Sequence, residues 1–182
     1  MKQSSRPICF MVVPLMLTLV LFWNESGYSM EPEKIFAWVA GQMNVADPGP
    51  PPVVSYVDKA ELQALFTRAN RGSYLRWEAR YGKRKAKEFL NTYLKALAGM
   101  FDADTKSIYV GRFLTKCRQQ AVLAHEMTHY LQVRTGGRVD PEADGAGQLK
   151  LWQEMQAAAI EQRYFEHFCA DANARHPGPI TP

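Results

Sequence analysis

Leu123-Ala124-His125-Glu126-Met127-Thr128-His129-Tyr130-Leu131-Gln132 is the stretch on which the reading of this chain turns. It holds an HExxH motif, His125 to His129. On an α-helix, residues i and i+4 lie about 40° apart around the axis, so both imidazoles point one way and can bind one Zn²⁺. Glu126 is offset by one residue. Its carboxylate can flank an open coordination position and take a proton from water held there. The chain has 4 His in 182 residues. Chance would produce roughly 0.005 such motifs at this composition. The surroundings suit a helix over 118–133: Val122, Leu123, Tyr130 and Leu131 are apolar, no Pro or Gly intervenes, and Gly136-Gly137 ends it.

A catalytic zinc usually has three protein ligands. Gln132 and Thr135 stand where an HExxHxxGxxH pattern needs Gly and His, and His167 and His176 fall late, outside any matching pattern. A glutamate from a second helix is the remaining solution. Residues 145–170 read as that helix, with Glu154, Ala157, Ala158 and Glu161 on one face. The two alanines would let it approach the motif helix closely. Glu154 and Glu161 are both candidates for the third ligand, and periodicity does not choose between them. No oxyanion donor stands out; Tyr130, Tyr164 and His167 are the available candidates.

Before the motif, Ser107-Ile-Tyr-Val110 reads as a strand, expected at a sheet edge where an extended peptide could add. Met100-Phe101 and Asp102 to Thr105 read as a preceding strand and turn. Residues 84–98 carry Phe89, Leu90, Tyr93, Leu94 and Leu97 at helical spacing, with Gly99 expected to stop that helix. Eight basic residues lie between Arg68 and Lys87, interleaved with Tyr74, Trp77 and Tyr81. Basic plus aromatic composition is compatible with a nucleic-acid or anionic membrane surface. A solvated basic face with the three aromatics packed inward is the favoured reading, so no nucleic-acid partner is expected. Asn70 to Ser73 should break the chain between two helices. Asp58-Lys-Ala-Glu61 forms a capping-box signature after the short strand Val53–Val57. Asp47-Pro-Gly-Pro-Pro-Pro52 is a stiff connector. Residues 31–44, opening on Glu31-Pro32-Glu33, read as the first helix.

At the N-terminus, Lys2 and Arg6 precede an uncharged apolar run from Ile8 to Trp23, with small residues at Gly27 and Ser29. This predicts a signal peptide over 1–29 and an exported protein, periplasmic or secreted. The alternative is an uncleaved membrane anchor, although a span usually needs about 20 apolar residues. The remainder, 30–182, is one domain in length and composition. Without Lys2, Arg6 and Glu25 the charge falls from +4 to +3, too small and dispersed for a nucleic-acid binder.

Export to an oxidising compartment predicts a Cys117–Cys169 disulfide. With the two helices antiparallel and meeting at the metal, Cys117 lies about 15 Å before the motif centre. Cys169 lies about 22 Å beyond Glu154, or about 12 Å beyond Glu161. Either register approaches disulfide range, the second more easily.

His125 to His129 followed by a glutamate on a later helix resembles the gluzincin type of zinc metallopeptidase. More closely, Ile108 to about Phe165 resembles small, exported, largely uncharacterised bacterial proteins of that type. The similarity covers Ile108-Tyr109-Val110, Leu123 to Gln132, Ala37-Trp38 and Pro50-Pro-Pro-Val53. The third ligand of that group sits in a Glu-x-x-Ala pattern, here Glu154-Met-Gln-Ala157, so the resemblance favours Glu154. Ala158 and Glu161 depart from the group, which often has an aromatic and Gln there, and residues 70–98 look particular to this chain. The resemblance implies an α+β, mostly helical, zincin-like fold with a small sheet and two zinc-bearing helices. It also implies a metallopeptidase acting on a peptide or protein substrate, with His125, His129 and Glu154 on zinc and Glu126 as base. A non-catalytic, zinc-stabilised envelope scaffold is the rival expectation.

Overall fold

The computed structural model describes residues 30–136 and 146–175. The expected signal or anchor segment 1–29 and His176 lie outside the described residues. No described helix is long and apolar enough to cross a membrane. The architecture is α+β and mostly helical, with six helices and a three-stranded sheet among the described residues.

Helix α1 spans Pro32–Gln42, with Pro in its first turn and Glu33 close behind, and buries Ile35, Phe36, Val39 and Ala40. The proline connector then runs along the far end of the motif helix, where the Tyr130 hydroxyl donates to the Pro50 carbonyl (2.9 Å). Strand β1 (Val53–Val57) leads to α2 (Lys59–Ala69), whose cap is Asp58, accepting the Glu61 N–H at 2.8 Å. Helices α3 (Arg71–Tyr81) and α4 (Lys83–Ala96) form a hairpin. Gly82 joins them at φ 81°, a left-handed conformation that glycine tolerates. The break expected at 70–73 is narrower than its composition suggests: Asn70 alone turns the corner, its side-chain amide donating to the Phe66 carbonyl.

Strands β2 (Gly99–Asp102) and β3 (Ser107–Gly111) follow, then α5 (Lys116–Arg134) and α6 (Ala146–Arg175). Sheet order is β1-β3-β2, with β1 parallel and β2 antiparallel to β3. Two expectations need correction. Ser107–Val110 is the central strand rather than an edge, because β1 returns to pair with it across a long crossover. Gly99 is not a helix stop: α4 ends at Ala96, extended Leu97 leads out, and Gly99 opens β2.

Alternation along the strands sorts side chains to the two faces of the sheet. Ile108 and Val110 join Val122, Leu123, Met127 and Leu131 of α5, the apolar side of α1, and Ile160 and Tyr164 of α6 in the main core. On the opposite face, Val57 and Met100 pack with Leu62 of α2 and the flanking Phe66, Leu97 and Tyr109. The motif helix thus lies under the sheet, and the α2–α4 segment lies over it.

The two cysteines are joined in a disulfide, Cys117 to Cys169, with Cα atoms 5.9 Å apart, tying the start of α5 to the later turns of α6.

Candidate metal centre

Helix α5 is buried on nearly all sides, which explains how its polar residues come to be enclosed: Gln119, Gln120, Glu126, Thr128 and Gln132 are all buried. Thr115 caps its start and Gly136, at φ 93°, follows its end. His125 and His129 project from one face toward α6. Their Nε2 atoms are 3.1 Å apart. Glu154 Oε2 lies 3.7 Å from His125 Nε2 and 3.5 Å from His129 Nε2. Ligands arranged tetrahedrally at about 2.0–2.1 Å from one ion are separated by roughly 3.3–3.4 Å. The three atoms therefore have the spacing of a metal-ligand triad, and His125, His129 and Glu154 can hold one ion.

The outer nitrogens of both rings are engaged, which turns the inner ones toward the triad. His129 Nδ1 is 2.9 Å from Gln132 Oε1. Gln132 Nε2 donates to the Gln153 carbonyl (3.0 Å) and to Gln156 Oε1 (2.9 Å). The amide oxygen is thus left facing His129, which must donate from Nδ1 and present a lone pair at Nε2. His125 Nδ1 lies 3.0 Å from Glu161 Oε2 in a close ion-pair contact, without the alignment of a hydrogen bond. Glu161 Oε1 in turn meets Arg118 at 3.0 Å. Carboxylate or amide partners behind ligating imidazoles fix tautomer and ring orientation.

The two candidate glutamates therefore occupy different positions. Glu154 faces both inner nitrogens; Glu161, two turns along α6, stands behind His125. Ala157 between them is fully buried, giving the close approach anticipated, whereas Ala158 turns to solvent. Ile160 and Tyr164 complete the buried side of α6.

The electrostatics of the metal-free site follow from this crowding. Burial pulls the His125 imidazole down, but Glu154, Glu161 and the charge of Glu126 outweigh it and lift the group to about 10. His129 is likewise opposed by burial and raised by Glu154. Glu154 is held well below the usual carboxylate range by its contacts with His125 and His129. Glu161 is lowered too, burial being outweighed by His125 and Arg118. Glu126 moves the other way: burial raises it, against the attraction of the two histidines. Three carboxylates around two imidazoles form a cation-seeking set.

Glu126 is buried and its carboxylate faces the Phe101 backbone N–H, which favours the charged form. This contact is made at the outer edge of β2. Gly111 N–H donates to the Ala98 carbonyl (2.8 Å), so alternation turns the backbone groups of Gly99 and Phe101 away from β3. A Cβ on Gly99 would lie 2.6 Å from Val122 Cγ1 and 3.2 Å from Glu126 Oε1. Only glycine lets the edge strand approach Glu126 this closely.

A cleft of about 770 Å³ opens over the triad. His125, Glu126, His129 and Glu154 form its floor, β2 from Gly99 to Asp102 one side, and Phe66, Trp77 and Tyr93 of the α2–α4 segment another. Three residues considered as oxyanion donors do not line it. Tyr130 is spent on Pro50, Tyr164 is buried against Trp38 and Phe168, and His167 borders a shallow depression beside Trp38 on another part of the surface.

No role at this site is read for Gln132, Arg118 or Gly99 from sequence alone. Gln132 carries a local signal, lying three residues after His129 on the same helical face. A lone glycine within a strand is a known sign of close backbone approach. Arg118 reaches the site only through Glu161, a tertiary contact with no sequence signature.

No family model, curated protein or solved structure matches this chain.

Proposed function

We propose that the chain is a zinc-dependent metallopeptidase of the gluzincin type, with a zincin-like arrangement of sheet and helices, acting on peptide or protein substrates. The observation that carries this reading is Glu126. It lies beside a three-atom ligand triad without belonging to it, is held by the backbone of an exposed sheet edge, and faces the same cleft. A site that only stabilised the fold would have no use for a buried carboxylate there.

Two imidazoles and one carboxylate suit zinc, held by His125, His129 and Glu154. When bound, zinc supplies Lewis acidity toward a scissile carbonyl and lowers the pKa of water at its open position. The protein's own groups supply the remaining chemistry. Glu126 accepts a proton from the attacking water as oxygen bonds to the carbonyl carbon. It returns that proton to the amine as the C–N bond breaks. Burial raises its proton affinity, which suits a base that must take up a proton and then release it. Glu161 with Arg118, and Gln132 with Gln156, orient the ligand rings. The outward N–H and carbonyl of Gly99 and the carbonyl of Phe101 offer an extended substrate a strand to pair with, the Phe101 N–H being turned to Glu126.

Export of the domain by residues 1–29 belongs to the same proposal. It is supported by the basic and apolar pattern of that segment and by the paired cysteines, which persist in oxidising compartments. The test is a peptide-library digest by the zinc-loaded protein alongside Glu126→Gln. Cleavage by the first and none by the second is expected; no cleavage by either, with one zinc bound, would favour a zinc-stabilised binding protein.

A further inference from the structure

The α3–α4 hairpin has an unusual surface. Its aromatic side chains form a continuous row: Phe66 stacks on Tyr93 (6.4 Å between centroids, 21° between planes), and Tyr93 stacks on Trp77 (5.7 Å, 19°). Trp77 then meets Phe89 edge-on, and Phe89 meets Tyr81. A hairpin of this length would normally bury such rings against a core. Here α3 has no buried residue and α4 buries only Ala86. Tyr93 remains 55% exposed and Phe89 44%. The eight basic side chains between Arg68 and Lys87 are all exposed; Arg80 lies over the Tyr81 ring (5.4 Å to its centroid) at the outer end of the row.

The row is not an isolated surface patch. Its inner end, Phe66, Trp77 and Tyr93, lines the same cleft as His125, Glu126, His129 and Glu154. The free edge of β2 lines that cleft too. A strand paired along this edge, to the N–H and carbonyl of Gly99 and the carbonyl of Phe101, projects successive side chains to opposite faces of the sheet. One set points to the face on which α2 and the hairpin stand, because Met100 of β2 packs there with Leu62 and Phe66. A side chain on that set would meet the stacked rings.

We infer that Trp77 and Tyr93 form a specificity subsite that accepts a large apolar or aromatic side chain of an extended peptide bound along β2. This rests on the peptidase reading for its occupant, but it concerns binding and not turnover. Stacked rings with half-exposed faces favour a flat or bulky apolar group, whose transfer from water supplies the preference. An alanine at the same position would leave the rings wet and gain nothing.

The test uses the zinc-loaded Glu126→Gln protein, which should hold peptide without consuming it. Capped glycine-rich pentapeptides with a central Phe or a central Ala are titrated by calorimetry. The Phe peptide should bind at least about tenfold more tightly. Trp77→Ala in the same background should bring the two affinities to within about twofold while leaving the Ala peptide unchanged. Because Trp77 packs on both Phe89 and Tyr93 of α4, its loss could unfold the hairpin. Tyr93→Ala, at a more exposed ring, is the second variant and should reduce the preference about threefold or more, with the circular-dichroism spectrum unchanged. Equal binding of the two peptides, no measurable binding of the Phe peptide at millimolar concentration, or a preference that survives both substitutions would overturn the inference. A Phe preference in a protein whose wild type hydrolyses nothing would leave the subsite standing and remove the peptidase assignment.

Discussion

The α5–α6 pair and the α3–α4 hairpin have opposite relations between sequence and packing. Along α5, polar residues are buried and almost every one is engaged: Gln119 with the Arg112 and Leu114 carbonyls, Gln120 with the Met30 carbonyl, Gln132 with His129 and α6, Glu126 with β2. A disulfide then ties the two helices. Along the hairpin, large apolar rings are exposed and the helices lean mainly on one another. The first region is suited to holding four side chains in fixed relation, which metal and base chemistry requires. The second leaves its rings open to solvent beside the same cleft. The two halves differ in how far their side chains are enclosed, and each can be disturbed separately.

The largest expected effect lies in the rigid half. Glu126→Gln should lower peptide hydrolysis by about 10³-fold or more, the range of a lost general base, with metal content and fold retained. A variant as active as wild type in a matched assay would remove Glu126 from its role.

Next comes the covalent tie. Closing a loop over a sequence separation of 52 residues constrains the unfolded chain by about 4 kcal/mol in the chain-entropy account. Reduction, or Cys117→Ser with Cys169→Ser, should lower the denaturation midpoint markedly. Thiol titration of the denatured, unreduced protein should find neither cysteine free; two free thiols from these positions would rule out the bridge.

The two glutamates of α6 separate ligand from support. Glu154→Ala should remove most zinc affinity. Glu161→Gln should cost about 10–100-fold in affinity, the usual range for a group behind a ligating histidine, and Arg118→Ala less than that. Competition with a chelator of known affinity reads all three. The reverse order of the two glutamates would exchange their roles. The smallest effect belongs to the hairpin: Tyr93→Ala should leave zinc affinity unchanged within about twofold, since it touches no ligand, and a large loss would show that the two regions are not separable.

What was legible in sequence follows the range of the interactions. The motif helix, its caps and the convergence of His125, Glu126 and His129 are set within ten residues and were readable from helical geometry. The individual helices and strands were readable from periodicity; the approach of a second helix was expected through Ala157 and Ala158, and of the two only Ala157 is buried. Glu154 and Glu161 share one helical face, so which of them faces both His125 Nε2 and His129 Nε2 depends on the lengthwise register of α6 on α5, which no local pattern encodes. Sheet order was missed for a similar reason. β1 crosses a long segment to pair with β3, and among the described residues this moves the edge to β2. Gly99 looked like a helix terminator because glycine serves both purposes. Only the approach of Val122 and Glu126 shows which applies. The hairpin aromatics had the spacing of a buried stripe; Trp77, Tyr81, Phe89 and Tyr93 pack on each other instead, no further layer covering them among the described residues.

The central claim is that His125, His129 and Glu154 together bind one zinc ion. Elemental analysis of the protein, purified without chelator and equilibrated with zinc before gel filtration, tests it most directly. One zinc per chain is expected for the wild type and for Glu126→Gln, and close to none for His125→Ala and His129→Ala, each still folded by circular dichroism. Full zinc stoichiometry retained in both histidine variants, or a wild type that binds none, would contradict it.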